Sequence, residues 1–112
     1  MVSNVFIEGS TVGWEDLGAG IQRKILGFDK QVMMALFRFK KGSVGALHRH
    51  VHTQVSFVES GSFEVRIGNK KKILHAGDSF LIPSNVDHGV IALEDSLLVD
   101  VFAPMREDFI KP

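Results

Sequence analysis

A chain of 112 residues is the size of one domain with one core. Its 13 basic and 13 acidic side chains cancel, so no positive excess is present to neutralise phosphates, and nucleic acid is not an expected partner. Cysteine is absent, which excludes disulfides, thiolate metal sites and thiol nucleophiles.

In chain order, the first residues show no basic stretch followed by an apolar run, so no secretion signal is read and a cytoplasmic location is the default expectation. Residues 1 to about 25 read as an irregular arm. Within it, Thr11 to Gln22 contains Trp14 and several glycines without a clear period, and stands as an irregular segment or an edge strand. Trp14 is a candidate to cover a barrel end. A strand is predicted from Gln31 to Lys40. Its run from Val32 to Phe37 is strand-sized, far short of the roughly 20 residues of a membrane span. Met33 and Met34 fall on opposite faces of that strand. Further strands are predicted at Thr53 to Glu59, Ser62 to Ile67, Ser79 to Ile82, Gly89 to Leu93 and Ser96 to Phe102. Ser62 to Ile67 alternates polar and apolar residues, and Gly68-Asn69 turns it back toward Ile73-Leu74. Lys70, Lys71 and Lys72 read as a solvated hairpin.

Gly42, Gly61, Gly77 and Gly89 fall where strands are expected to end. Phe37, Phe39, Phe57, Phe63 and Phe80 are assigned to the core. The one helical candidate is Met105 to Ile110, after Pro104. Many short strands with glycine-rich turns indicate a sandwich or barrel, all-β with little helix, in a single domain over 1–112.

Four of the five histidines lie in two short windows. His48 and His50 are two apart, so on an extended strand both rings point to one face and can share a metal ion. His88, from a distant strand, could close the site. Imidazole nitrogen does not choose among zinc, nickel, copper and iron. His75 lies in the turn before Gly77 and reads as a structural or surface residue.

The frame around these histidines resembles the cupins. Gly42, His48, His50 and Gly61 fit the spacing of the first cupin motif, with Gln54 where a glutamate would stand. Gly77, Pro83 and His88 fit the second motif, with Asn85 in place of its turn glycine and Ala92 in place of its asparagine. Asparagine tolerates the left-handed conformation of a turn glycine. The resemblance implies a jelly-roll β-barrel holding one divalent metal ion (nickel, zinc, iron, manganese or copper) through His48, His50, Gln54 and His88. His52 shares parity with His48, His50 and Gln54 and is an alternative ligand to Gln54. An amide in place of a carboxylate leaves the double charge of the metal unneutralised, which favours an anionic or hydroxyl-rich ligand.

Asp100 interrupts the apolar strand Leu97 to Phe102. Read alone, it is either a solvent-facing or arginine-paired carboxylate, or a proton-transfer group near the metal. Arg106 read alone is a surface residue, or a bidentate partner for a carboxylate. A narrower resemblance runs through Trp14-Glu15-x-Leu17-Gly18, Gly20-Ile21-x-Arg23-Lys24, His52-Thr53-Gln54 and Asp100-x-Phe102-x-Pro104-Met105-Arg106-Glu107-Asp108-Phe109. It is to the KdgF-type pectin-degradation cupins.

That family implies metal-dependent ring opening of 4,5-unsaturated monouronates to the linear keto form, in uronate catabolism. It implies Asp100, Phe102 and Arg106 as the catalytic set, a small sugar acid as partner, and no organic cofactor. Small cupins commonly pair, so a homodimer is expected. The alternatives are a metal-dependent cupin dioxygenase and a non-enzymatic sugar-acid-binding cupin. The latter usually accompanies a DNA-binding domain, for which this length leaves no room.

Overall fold

The computed structural model describes residues 1–110; of the domain expected over 1–112, residues 111–112 lie outside it. A short 3-10 turn at Gly9–Thr11 precedes ten strands: β1 (Glu15–Gly18), β2 (Ile21–Phe28), β3 (Met33–Phe39), β4 (Val44–His48), β5 (Thr53–Ser60), β6 (Ser62–Ile67), β7 (Lys70–His75), β8 (Ser79–Ile82), β9 (His88–Ala92) and β10 (Ser96–Ala103). One helical turn, α1 (Glu107–Ile110), follows. Two antiparallel sheets face each other, ordered β1-β2-β3-β10-β5-β8 and β4-β9-β6-β7. This is the all-β jelly-roll arrangement expected from the sequence.

Period-two patterning sets the core. In β10, Ser96, Leu98, Asp100 and Phe102 are buried, and the residues between them are only partly so. Leu98 joins Phe39, Val58, Phe63, Val65, Phe80, Ile82 and Ala92 in one apolar cluster. Phe102 joins Met33, Ala35 and Met105 in a second. Asp100 therefore projects inward between two apolar bodies. Met33 is fully buried and Met34 is exposed, as their alternation requires.

In the amino-terminal region the edge-strand alternative for Thr11 to Gln22 holds, and the irregular arm expected to about residue 25 is shorter. The irregular stretch ends before Glu15; β1 is the edge strand and β2 is a full member of the larger sheet. No period is visible in β2 because every one of its residues is half-buried. The amino-terminal segment covers its outer face, with the Ser3 amide donating to the Phe28 carbonyl and Lys24 Nζ to the Gly9 carbonyl. Trp14 does not close a barrel end: its ring stacks against the Arg38 guanidinium at 4.1 Å and Lys24 Nζ at 4.8 Å.

Three smaller expectations change. Phe57 is not core; it is 44% exposed, on the outer face of β5, because Ser56 and Val58 take the inward positions. Gly89 lies inside β9, where the reason for glycine is close approach: a Cβ there would stand 2.9 Å from the Gly45 carbonyl. The helix is shorter, beginning at Glu107. Gly61 does take a positive φ, 81°, between β5 and β6, and Asn85 takes φ 62° in the turn position anticipated for it. Among the described residues, no helix is long and apolar enough to cross a membrane.

Candidate functional site

The two histidine windows meet through strand pairing. His48, the last residue of β4, and His88, the first of β9, are register partners, and their ring centroids lie 4.3 Å apart. His50 is not on a strand; it sits in the loop between β4 and β5, yet its ring comes within 5.5 Å of His48 and 4.7 Å of His88. One ligand atom from each of the three rings lies within 4.8 Å of the others, a group that can hold a metal ion.

Each ring is fixed by its Nδ1. That of His48 is 2.8 Å from the Ala46 carbonyl, that of His88 2.9 Å from the Val86 carbonyl, and that of His50 3.0 Å from the His52 carbonyl. A carbonyl only accepts, so Nδ1 carries the proton and Nε2 presents a lone pair to the centre. Burial, first, and the nearby positive charges hold the His88 and His50 imidazoles below their ordinary value. Neutral imidazole is the ligating form.

Gln54, on β5, stands beside His50. Its Oε1 lies 3.0 Å from His50 Nε2, its Nε2 donates to Ser56 Oγ at 3.0 Å, and Ser56 Oγ donates to Asp100 Oδ1 at 2.6 Å. With the Asp100 carboxylate ionised, Ser56 gives its proton to it and must accept from the amide. Gln54 therefore turns its carbonyl oxygen toward His50. Whichever nitrogen of a neutral His50 ring carries the proton, one of its two contacts then sets lone pair against lone pair. A cation between His50 Nε2 and Gln54 Oε1 relieves that conflict, and three imidazole nitrogens with one amide oxygen suit a borderline divalent ion.

His52 does not join this group. Its ring packs against those of His50 (5.3 Å) and Phe102 (6.5 Å), its Nδ1 is buried without a hydrogen-bond partner, and its carbonyl orients His50.

His48, His88, Gln54, Asp100, Phe102 and Arg106 all line one cavity of about 250 Å³ between the sheets. Asp100 is only 5% exposed, and burial, against the Ser56 and Gln54 bonds and the Arg106 charge, pushes its carboxyl up to about 7. Arg106 reaches in from the segment after β10. Asp108 grips it bidentately at 3.0 and 2.8 Å, and its guanidinium lies 5.1 Å from the Phe102 ring and 4.2 Å from the Phe109 ring.

Comparison with known proteins decides the family. The profile of the cupin domain matches residues 35–102. The pectin degradation protein KdgF of Dickeya dadantii (strain 3937) is 45% identical over 107 residues, covering 94% of this chain and 96% of that protein. The chain is a cupin of the KdgF family.

Among solved structures, this cupin superposes on an RmlC-like cupin from Shewanella frigidimarina with a TM-score of 0.94 at 42% identity, covering 96% of this chain and 97% of that one. It superposes on KdgF from Halomonas sp. with a TM-score of 0.91 at 38% identity, covering 96% and 99%.

Among the residues of the cavity and its network that were not anticipated as site residues are Ser56, Arg23 and Phe109. Ser56 was findable. It lies two residues after Gln54 on the inward face, although its register opposite Asp100 is visible only in the sheet.

Proposed function

We propose that this cupin converts 4,5-unsaturated monouronates, the products of pectin or alginate lyases, to their linear keto form. The relation to the pectin degradation protein KdgF supports the substrate class. The observation that carries the chemistry is the hydrogen-bonded chain from Gln54 through Ser56 to Asp100, with Gln54 Oε1 beside His50 Nε2, because it ties the residue next to a metal-competent cluster to a buried carboxyl on one cavity wall.

The substrate is a cyclic hemiacetal whose ring oxygen is also an enol ether. Opening breaks the bond from the anomeric carbon to the ring oxygen. The anomeric hydroxyl gives up its proton as the aldehyde forms, and the ring oxygen leaves as an enol that becomes a ketone when carbon 4 is protonated. Atoms balance and nothing is oxidised. A divalent ion held by His48, His50, His88 and Gln54 would supply Lewis acidity and an anchor for oxygen.

Asp100 carries the proton from hydroxyl to carbon. Its elevated carboxyl both accepts and releases a proton near neutrality, and Ser56 keeps it aimed. Arg106, held by Asp108, stabilises developing negative charge. Phe102 forms an apolar wall that excludes water.

The decisive experiment follows the ultraviolet absorbance of an unsaturated galacturonate with purified protein, with and without chelator. Protein-dependent loss of absorbance, abolished by chelator, supports the reading. Oxygen uptake, or binding without turnover, overturns it.

The expected homodimer belongs to the same reading. Met34, Val101, Val55 and Leu81 stand in register across four strands, and Met34, Val55 and Leu81 are exposed. Sedimentation velocity tests it, and a monomer at micromolar concentration would overturn it.

A further inference from the structure

The cavity has two guanidiniums, and the reaction just described uses one. Arg23, the third residue of β2, lines the same cavity as His48 and Asp100, and its side chain is only 13% exposed. Its guanidinium lies 4.1 Å from the centroid of the Phe109 ring, and Arg106 contacts that same ring at 4.2 Å. Two cations thus share one aromatic platform at the cavity wall.

Glu15, on the edge strand, holds Arg23 through Nε and Nη2 at 3.4 and 3.2 Å. Glu15 does not line the cavity and is more than half exposed, so it grips the guanidinium from the solvent side. A guanidinium has five N–H donors. Two are engaged by Glu15, and no other hydrogen bond of Arg23 side-chain donors occurs among the described residues.

Asp100 is the one acidic residue among those lining the cavity, against two guanidiniums; Glu15 and Asp108, which pair with Arg23 and Arg106, do not line it. The two arginines also differ in place. The Arg106 guanidinium faces Phe102, which is in register with Gln54, whereas Arg23 is in register with Phe37 and so with Leu98, two inward positions further from that end of β10. Arg23 therefore belongs to the end of the cavity remote from the histidines.

We propose that Arg23 binds the carboxylate of the sugar acid at the end of the cavity away from the histidine cluster, with Glu15 as its positioning residue and Phe109 as the surface on which it is held. This rests on the uronate reading and deepens it. Arg23 sets specificity for the acid over uncharged analogues, while Arg106 serves the reacting end. A planar two-donor edge matches a carboxylate bidentately, which a lysine cannot reproduce.

The test compares the metal-loaded wild type with R23Q and R23K on an unsaturated galacturonate and on its methyl ester. In R23Q, KM for the acid should rise about 10- to 100-fold, as loss of a charge-assisted pair predicts, with kcat within about threefold. The ester should be turned over nearly as by the wild type, so the preference for the acid collapses. R23K should recover only part of it. The E15Q variant should raise KM for the acid by less than R23Q.

Metal content and melting temperature are read for each variant. If R23Q does not fold, R23K carries the same comparison. Equal losses on acid and ester, or an unchanged preference, overturn the assignment to Arg23 and leave the uronate reading standing. If the wild type turns over neither compound, the uronate reading fails instead. Calorimetric titration with galacturonate then tests Arg23 alone: weaker binding by R23Q supports it, and equal binding overturns it.

Discussion

Ser56 Oγ stands 2.6 Å from Asp100 Oδ1 and 3.0 Å from Gln54 Nε2, at a position with no solvent exposure, so one hydroxyl links the carboxyl to the candidate metal ligand. Register opposes the two residues directly across β5 and β10. Removing the hydroxyl leaves a buried amide donor and a buried carboxyl each short of a partner. The S56A variant should lose about 1–3 kcal/mol of stability by denaturant titration. Its turnover should fall more than its metal content, measured by elemental analysis.

The D100N variant separates proton transfer from binding. It keeps the shape of the side chain and cannot carry a proton, so turnover should be nearly abolished while metal remains bound. Unchanged turnover would remove Asp100 from the mechanism.

Asp100 also predicts a pH dependence in the metal-stripped protein. Its folded value, about 7, lies above the ordinary 3.8. The folded state therefore binds a proton that the unfolded chain releases between these values. The stabilising contribution is complete below about 4 and is lost as pH rises toward 7. The stability difference between wild type and D100N should decline over that window, measured by urea unfolding at each pH. A difference that stays flat would mean the carboxyl is not desolvated as described.

Metal removal should destabilise the fold locally. Three inward lone pairs, and the conflict between His50 Nε2 and Gln54 Oε1, are left uncompensated without a cation. Added divalent ion should raise the melting temperature in proportion to its binding, by about 2.7 kcal/mol of stability at a hundredfold excess over Kd. The H88A variant should lose this response.

Gly89 tests the scaffold beneath the histidines. A Cβ there meets the Gly45 carbonyl at 2.9 Å and the Leu47 backbone at 3.3 Å, so G89A forces β4 and β9 apart. His48 and His88 are the register partners at the end of that ladder. Metal affinity should fall at least about tenfold, the effect of about 1.4 kcal/mol, in a variant that still folds. G61A should act on stability instead, because Gly61 has φ 81° and its added Cβ would collide with Ser96 Oγ.

The sequence by itself determined the class of fold and the three histidines that cluster. Alternation in Ser62–Ile67 and in β10 places every second side chain inward whatever the partner strand, because side-chain direction in a strand is local. The spacing of Gly42, His48, His50, Gly77, Pro83 and His88 carried the cupin resemblance without knowledge of pairing. Three things were beyond it. That β2 is a strand depended on the amino-terminal segment covering its outer face, which erased the period. That His52 turns to Phe102 while Gln54 turns to His50 depended on the chain leaving strand geometry after His48, where parity no longer fixes direction. That Asp100 meets Ser56, and Arg23 shares a ring with Arg106, depended on strand register and on the return of α1 over the cavity. These are contacts between residues distant in the chain, and only tertiary packing selects them.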